Sequence, residues 1–316
     1  MGERTISLNK IEPGILIKTL RGRNIEPWLI RGSFDYSIYP YELDNDGTRL
    51  LSVEEMEKMY PNTYSYLLKN KEGLLRRKDS RREVAESKQW YSLIRKGRLD
   101  TFRSSKIVTP ALTKHNSFAF DNEASAFLTG GAGVFSMIQE RFDSCYLLAV
   151  LNSKLIEFFL HQISTKKQGG YYSYLHTFLA QIPIVELGKS EQIPFAQLAE
   201  AIIENKRELE VRVNKFLNRV NERFPKMKLT KNLACFYKMD FASFLKELRK
   251  ANKDNIKLGL RETDEWEDYF ETHKAQVLAS LNNVSELETK LDTKVFDLYG
   301  LSEPQRSAVL DSFSSD

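Results

Sequence analysis

The chain reads as an α+β protein. Residues 1–184 form a mixed-sheet domain with a buried central helix, and residues 185–316 form a mainly α-helical domain. Three observations predict this. Up to about Pro40, short strand-like pieces alternate with turns. Residues 146–159 are then apolar almost all round a helix, which places that helix inside a core. From residue 185 onward, apolar residues recur at helical spacing in long runs. A chain of 316 residues can bury a sizeable core and hold two domains.

Ile15-Leu16-Ile17 reads as a strand, and Tyr36-Ser37-Ile38-Tyr39 as an edge strand ended by Pro40. Between them, Arg21 and Arg23 flank Gly22, a pattern suited to phosphate contact and equally to a surface turn. Ser52 and Glu55 make a capping-box pattern, opening a helix that runs to about Leu68 with a break near Pro61. Basic sequence follows, then Trp90-Tyr91. Lys106-Ile107-Val108-Thr109-Pro110 is a strand, and Ser117-Phe118-Ala119-Phe120 alternates like its hairpin partner. The polar and basic residues 111–116 between them are placed to project from a sheet. Gly130-Gly131-Ala132-Gly133 marks a tight turn before a strand over 134–138. It lacks the lysine of a phosphate-binding loop and the spacing of a dinucleotide fingerprint.

The central helix carries Tyr146, Leu147, Leu148, Val150, Leu151, Leu155, Ile156, Phe158 and Phe159. Asn152, Lys154 and Glu157 interrupt it, so it is not a membrane span. After Ile163 the sequence turns basic and glycine-rich with paired tyrosines, then closes on Ile182-Pro183-Ile184. A rigid helix therefore delivers a cationic, hydrogen-bonding, aromatic loop to one place.

In the helical domain, Phe195, Leu198, Ala199, Ile202, Leu209, Val213, Phe216 and Val220 keep helical spacing until Pro225 stops the run. A second helix spans about 240–250. A third carries Trp266, Phe270, Val277, Leu281, Val284 and Leu287 on one stripe, longer than a small core needs and therefore a candidate assembly face. Gly300 ends a helix, and Ser302 with Gln305 caps the last one.

The net charge is +4, but residues 69–114 hold fourteen Lys and Arg against five Asp and Glu, leaving the rest of the chain net negative. Such concentration suits a polyanion, with a solvated helix face as the lesser alternative. Cys145 and Cys235 lie in apolar helical contexts, as buried reduced thiols of a cytoplasmic protein do. Two cysteines and four scattered histidines give no zinc spacing, and no metal or cofactor is expected. No segment reads as a signal peptide or a transmembrane run.

Leu151-Asn152-Ser153-Lys154-Leu155, Ile163-Ser164-Thr165, Lys167, Gly169-Gly170-Tyr171-Tyr172 and Gln181-Ile182-Pro183-Ile184 follow one another in a recognisable order and spacing. They resemble the signature of the TaqI-type C-terminal specificity domain, the target-recognition part of restriction-modification methyltransferases and fused methyltransferase-endonucleases. The Arg21-Gly22-Arg23-Asn24-Ile25 segment, the Trp90-Tyr91 pair before the 106–110 strand, and the closing stretch around Leu298-Tyr299-Gly300-Leu301 resemble the same family's surroundings. The resemblance implies sequence-specific recognition of double-stranded DNA, with a flipped base modified by a separate catalytic domain. It also implies a methyltransferase or endonuclease domain or subunit as partner, the chain being either a free-standing specificity protein or the C-terminal part of a longer enzyme. Met1-Gly2 as an artificial start fits the second case.

The catalytic inventory agrees with a non-enzymatic role. An amino-methyltransferase needs a glycine-rich cofactor loop and an Asn/Asp-Pro-Pro-aromatic tetrapeptide, and neither occurs. A metal-dependent nuclease needs an Asp and a Glu-x-Lys on adjacent strands. The nearest match, Asp79 with Glu86-Ser87-Lys88, falls in a helical, arginine-rich segment without strand character. A nuclease with an unrecognised site and a helical protein-interaction module remain the rival readings.

The DNA-binding candidates are Arg21, Arg23, Lys106, Thr113, Lys114, His115, Asn116, Ser164, Thr165, Lys166, Lys167, Gln168, Gly169, Gly170, Tyr171, Tyr172 and Tyr174. Cations neutralise phosphates, amides and hydroxyls read base edges, and tyrosines stack. A homodimer through the helices is a further expectation; a membrane partner is not.

Overall fold

The computed structural model describes residues 11–32, 34–45, 47–79, 82–83, 90–94, 96–123, 125, 134–137, 142–252 and 258–313. The chain divides into two compact units. One comprises residues 1–144 and 156–184, the other residues 145–155 and 185–316. The domain that carries small sheets is thus followed by a helical one, an α+β arrangement.

In the first unit, β1 (Leu16–Thr19) pairs antiparallel with β2 (Asp35–Ile38), and β3 (Tyr41–Asp44) with β4 (Gly47–Leu50). The capping box forms as the sequence predicts: Glu55 N–H donates to Ser52 Oγ at 3.2 Å, and Ser52 N–H to Glu55 Oε2 at 2.7 Å. It opens α1 (Val53–Met59), and Pro61 starts α2 (Pro61–Lys69) at the position where a missing N–H costs nothing. The orphan donors of α2 find Glu12, which accepts from Asn62 N–H at 2.8 Å and from Thr63 N–H at 2.9 Å. Burial alone would raise the Glu12 carboxyl. The hydrogen bonds from Thr63 and Asn62 outweigh it and hold the group at about 2. Ile11, Ile15, Met56, Leu67, Trp90 and Tyr91 make the core beneath these helices, and α3 (Lys71–Leu75) follows.

Two further sheets complete this unit. After α4 (Leu99–Arg103), β7 (Lys106–Pro110) runs centrally between β9 (Ala119–Asp121) and β10 (Val134–Met137). The other is built from β8 (Leu112–Thr113), β11 (Lys166–Lys167) and β12 (Tyr171–Ser173), with β12 in the middle. All ladders among the described residues are antiparallel, so the mixed sheet expected from the sequence reduces to one isolated parallel bridge, Trp28 to Ala119. There Trp28 sits buried at φ 77° with its N–H donating to Phe118 O at 2.9 Å. Asp79 is also corrected: β5 (Lys78–Asp79) and β6 (Arg82–Glu83) pair, so it does lie on a strand. Two residues per strand are too few for periodicity to register. Glu86, Ser87 and Lys88 lie outside the described residues, as does the 130–133 glycine turn.

In the second unit, Tyr146 to Leu151 are all buried in α5 (Ser144–Leu151). Tyr146 donates its hydroxyl to Val185 O at 2.6 Å and meets the Phe195 ring edge-on at 5.6 Å. Burial pushes its phenol up to about 12. The body of the unit is α8 (Lys189–Arg223, 35 residues) against α11 (Leu260–Leu298, 39 residues). Phe270, Val277, Val284 and Leu291 recur every seventh residue and are buried, the spacing of a coiled-coil seam. Lys206 pairs with Glu288 at 3.1 Å beside that seam. α9 (Lys231–Ala234) and α10 (Phe241–Ala251) cover one end, where Phe216, Phe236, Phe244 and Phe270 cluster.

The 266–287 stripe is therefore internal packing and not a contact face. The cover comes from α8 of the same chain, and with it goes the basis for a homodimer through the helices. Gly300, at φ 66°, closes α11: Leu301 N–H donates to Phe296 O and Gly300 N–H to Asp297 O, both at 3.0 Å. Ser302 and Gln305 then cap α12 (Glu303–Asp311). Cys145 and Cys235 form no disulfide, and both are half-buried where full burial was expected. No helix among the described residues is long and apolar enough to cross a membrane.

Candidate nucleic-acid interface

The sheet of β8, β11 and β12 gathers most of the residues that the sequence marks. The helix α6 (Lys154–Ile163) ends at Ser164, whose N–H and Oγ both donate to Leu160 O, at 2.9 and 2.5 Å. The chain then turns into β11 and back through β12, pairing Lys166 with Tyr172 and Lys167 with Tyr171. On its other side Tyr172 lies opposite Thr113 of β8. Gln168, Gly169 and Gly170 make the turn, with φ of 80° and 77° at the two glycines. A Cβ at Gly170 would meet nothing within 4 Å, so backbone conformation alone requires glycine there. The tip is consequently open to a ligand.

The surface is cationic. Lys114, Lys166 and Lys167 are exposed, and none faces a carboxylate among the described residues. Lys114 Nζ lies 5.5 Å from the centre of the Tyr171 ring, and Lys166 Nζ 5.6 Å from that of Tyr172. Several other cations of the unit are paired. Arg49 bonds both Glu55 oxygens at 2.8 Å, and Arg31 pairs with Glu26 at 3.0 Å. Arg21 and Arg23 share Asp35, Arg23 at 3.5 Å. They flank the β1–β2 sheet and not the sheet of β8, β11 and β12, although both remain exposed enough to touch a phosphate.

Four candidates are misplaced as direct contacts. Lys106 is 1 % exposed, and its ammonium meets Asp121 Oδ2 at 2.8 Å, Phe102 O at 3.0 Å and Ser104 O at 3.2 Å. All three of its donors are satisfied inside the fold, so it holds β7 to β9. Tyr174 is fully buried and donates its hydroxyl to Asn116 Oδ1 at 2.5 Å, which occupies the buried Asn116 as well. Burial, with the Glu157 carboxylate and Tyr172 adding to it, raises the Tyr174 phenol well above its usual range. Thr113 is nearly buried too and spends its hydroxyl on His115 O at 2.7 Å. These four are the frame of the surface. Thr165, Lys166, Lys167, Gln168, Gly169, Gly170, Tyr171, Lys114 and His115 are its exposed part, with Ser164 and Tyr172 half-buried.

Two residues of the frame escaped the sequence reading. Glu157, only 3 % exposed, lies with its Oε1 2.8 Å from His115 Nδ1, a contact that orients the imidazole with Nε2 directed away from the carboxylate. His161 stacks on Tyr172, ring centres 3.7 Å apart and planes within 8°. Both stand on α6 four residues apart, hence on one face. A Glu and a His at that spacing on an otherwise apolar helix is the signal that could have found them. Among the described residues no group of three His, Cys, Asp or Glu is placed to hold a metal ion.

Comparison with known proteins adds two findings. The family model described as a TaqI-like C-terminal specificity domain matches residues 18–184, and one described as a domain of unknown function matches residues 188–295. No curated protein matched the chain.

Proposed function

The chain belongs to the TaqI-like C-terminal specificity domain family, and on that premise we propose that its first unit recognises double-stranded DNA by sequence, as the specificity module of a restriction-modification system. The observation that carries the reading is the exposed hairpin tip. Three lysines that face no carboxylate among the described residues surround Gln168 and two glycines whose backbone a ligand can approach. Phosphates take Lys114, Lys166 and Lys167, because such contacts fix register without reading sequence. Gln168 reads a base edge, adenine N6 and N7 being its geometric match in the major groove. Tyr171, 43 % exposed, offers a ring to stack or to meet a thymine methyl group. The methyltransferase or endonuclease chemistry belongs to a separate domain or subunit, and the helical unit serves as its scaffold.

Selection from a randomised duplex library tests this. Full-length chain should enrich one short motif, and Gln168→Ala should lose about 1–3 kcal/mol on that motif while binding scrambled duplex as before. No enriched motif, or a Gln168→Ala variant equally weakened on every duplex, would overturn the reading.

A further inference from the structure

One end of the helical unit carries a concentration of positive charge. Along α8, Lys206, Arg207, Arg212, Arg219 and Arg223 each lie within 3.7 Å of a carboxylate. Lys189 and Lys215 of the same helix are exposed and face no carboxylate among the described residues, but past Phe224 such cations gather. Lys228, Lys231, Lys238, Lys246 and Arg249 are exposed, and none of the five faces a carboxylate among the described residues.

The fold brings Lys228, Lys231, Lys246 and Arg249 together. Lys228 N–H donates to Ala251 O at 3.1 Å, and Met227 bridges Asn252, so the strand-like segment after α8 runs beside the end of α10. Asn232 Nδ2 donates to Glu247 Oε2 at 3.3 Å and ties α9 to the same helix. α10 buries Phe241, Phe244, Leu245 and Leu248, which leaves Lys246 and Arg249 one turn apart on its outer face. Like charges at that spacing repel and lower stability. A bound anion would offset that repulsion.

The composition of the patch selects the anion. Four of the five residues are lysine, which is depleted at protein–protein interfaces. As flexible point charges lysines suit a phosphate backbone, where each neutralised phosphate releases counterions. We infer that this end of the helical unit is a second, sequence-independent contact for the phosphate backbone of duplex DNA. That the polyanion is DNA rests on the reading of the first unit; the existence of the patch does not.

The test uses the full chain with Lys228, Lys231, Lys246 and Arg249 all changed to alanine, and labelled duplexes carrying either the selected motif or a scrambled one. Affinity for both duplexes should fall by the same factor. The slope of log affinity against log salt should flatten by about 0.9 for each phosphate no longer neutralised, about two to four phosphates in all. The preference for the selected motif should stay unchanged, and the thermal midpoint should hold or rise as the repulsion is relieved. Unchanged affinity and slope overturn the inference. So does poly-L-glutamate that binds the unaltered chain as tightly as duplex at matched charge and loses that binding in the variant, the mark of an acidic protein surface. Equal binding of selected and scrambled duplex by the unaltered chain sinks the reading of the first unit instead, and leaves the patch to be judged on the variant alone.

Discussion

Changing Lys166 and Lys167 together to alanine is the sharpest perturbation of the hairpin. Both side chains are exposed, and the only ring or charge contact either makes among the described residues is Lys166 over Tyr172 at 5.6 Å. Removing that exposed cation–π pair costs about 0.5–1 kcal/mol of stability, so the fold survives. Two phosphates left without their lysines flatten the salt slope by about 1.8. Between 50 and 200 mM salt, a fourfold range, the unaltered chain should therefore lose about 12-fold more affinity than the variant. Adding Lys114→Ala, which removes the cation beside Tyr171, raises the expected difference to about 40-fold. Fluorescence anisotropy on a selected and a scrambled duplex reads both slopes, and circular dichroism checks the fold. Parallel salt lines for variant and unaltered chain would refute the assignment, because lysines that touch no phosphate release no counterions.

Three other outcomes follow from the fold. Lys106→Ala leaves Asp121 buried without its counter-charge and should cost about 3–5 kcal/mol in urea unfolding, where a loss under about 1 kcal/mol would show the pair to be dispensable. Gly170→Ala should cost about 1–2 kcal/mol from its left-handed backbone alone, since no atom lies within 4 Å of the added methyl; calorimetry would expose a larger loss as an unseen contact. Glu12, held at about 2 against 4.5 in the unfolded chain, contributes stability that is present above pH 4.5 and lost as the pH falls towards 2. The stability gap between the unaltered chain and Glu12→Gln should close across that window, and a gap independent of pH would show that Glu12 is not the titrating cap.

What was legible in the sequence is what depends on neighbours a few residues away. Ser52 with Glu55, Ser302 with Gln305, and Gly300 announce helix ends because each cap closes within one turn. The apolar run of α5 announces a core because no face of it can be wetted. Distant partners decided the rest. A lysine in a strand reads as a surface cation until Asp121, fifteen residues on, is seen to neutralise it. Tyr174 reads as a stacking ring until Asn116, fifty-eight residues back, takes its hydroxyl. The α11 stripe reads as an assembly face until α8 covers it. β8 pairs with β12 through just two residues, too few for any periodicity to foretell.

The two family matches meet between residues 184 and 188, yet the compact units also trade chain at 144/145 and again at 155/156. Exchange of recognition modules between relatives by a single crossover at the family border would therefore carry the wrong α5 into the recipient. Tyr146 would face a foreign residue in place of Phe195, and six consecutive buried side chains would meet packing partners they did not evolve with. Chimaeras that retain the recipient's own residues 145–155 should be soluble where simple fusions at 184 precipitate. Over evolutionary time, that short insert ties the inheritance of a recognition surface to that of its helical companion.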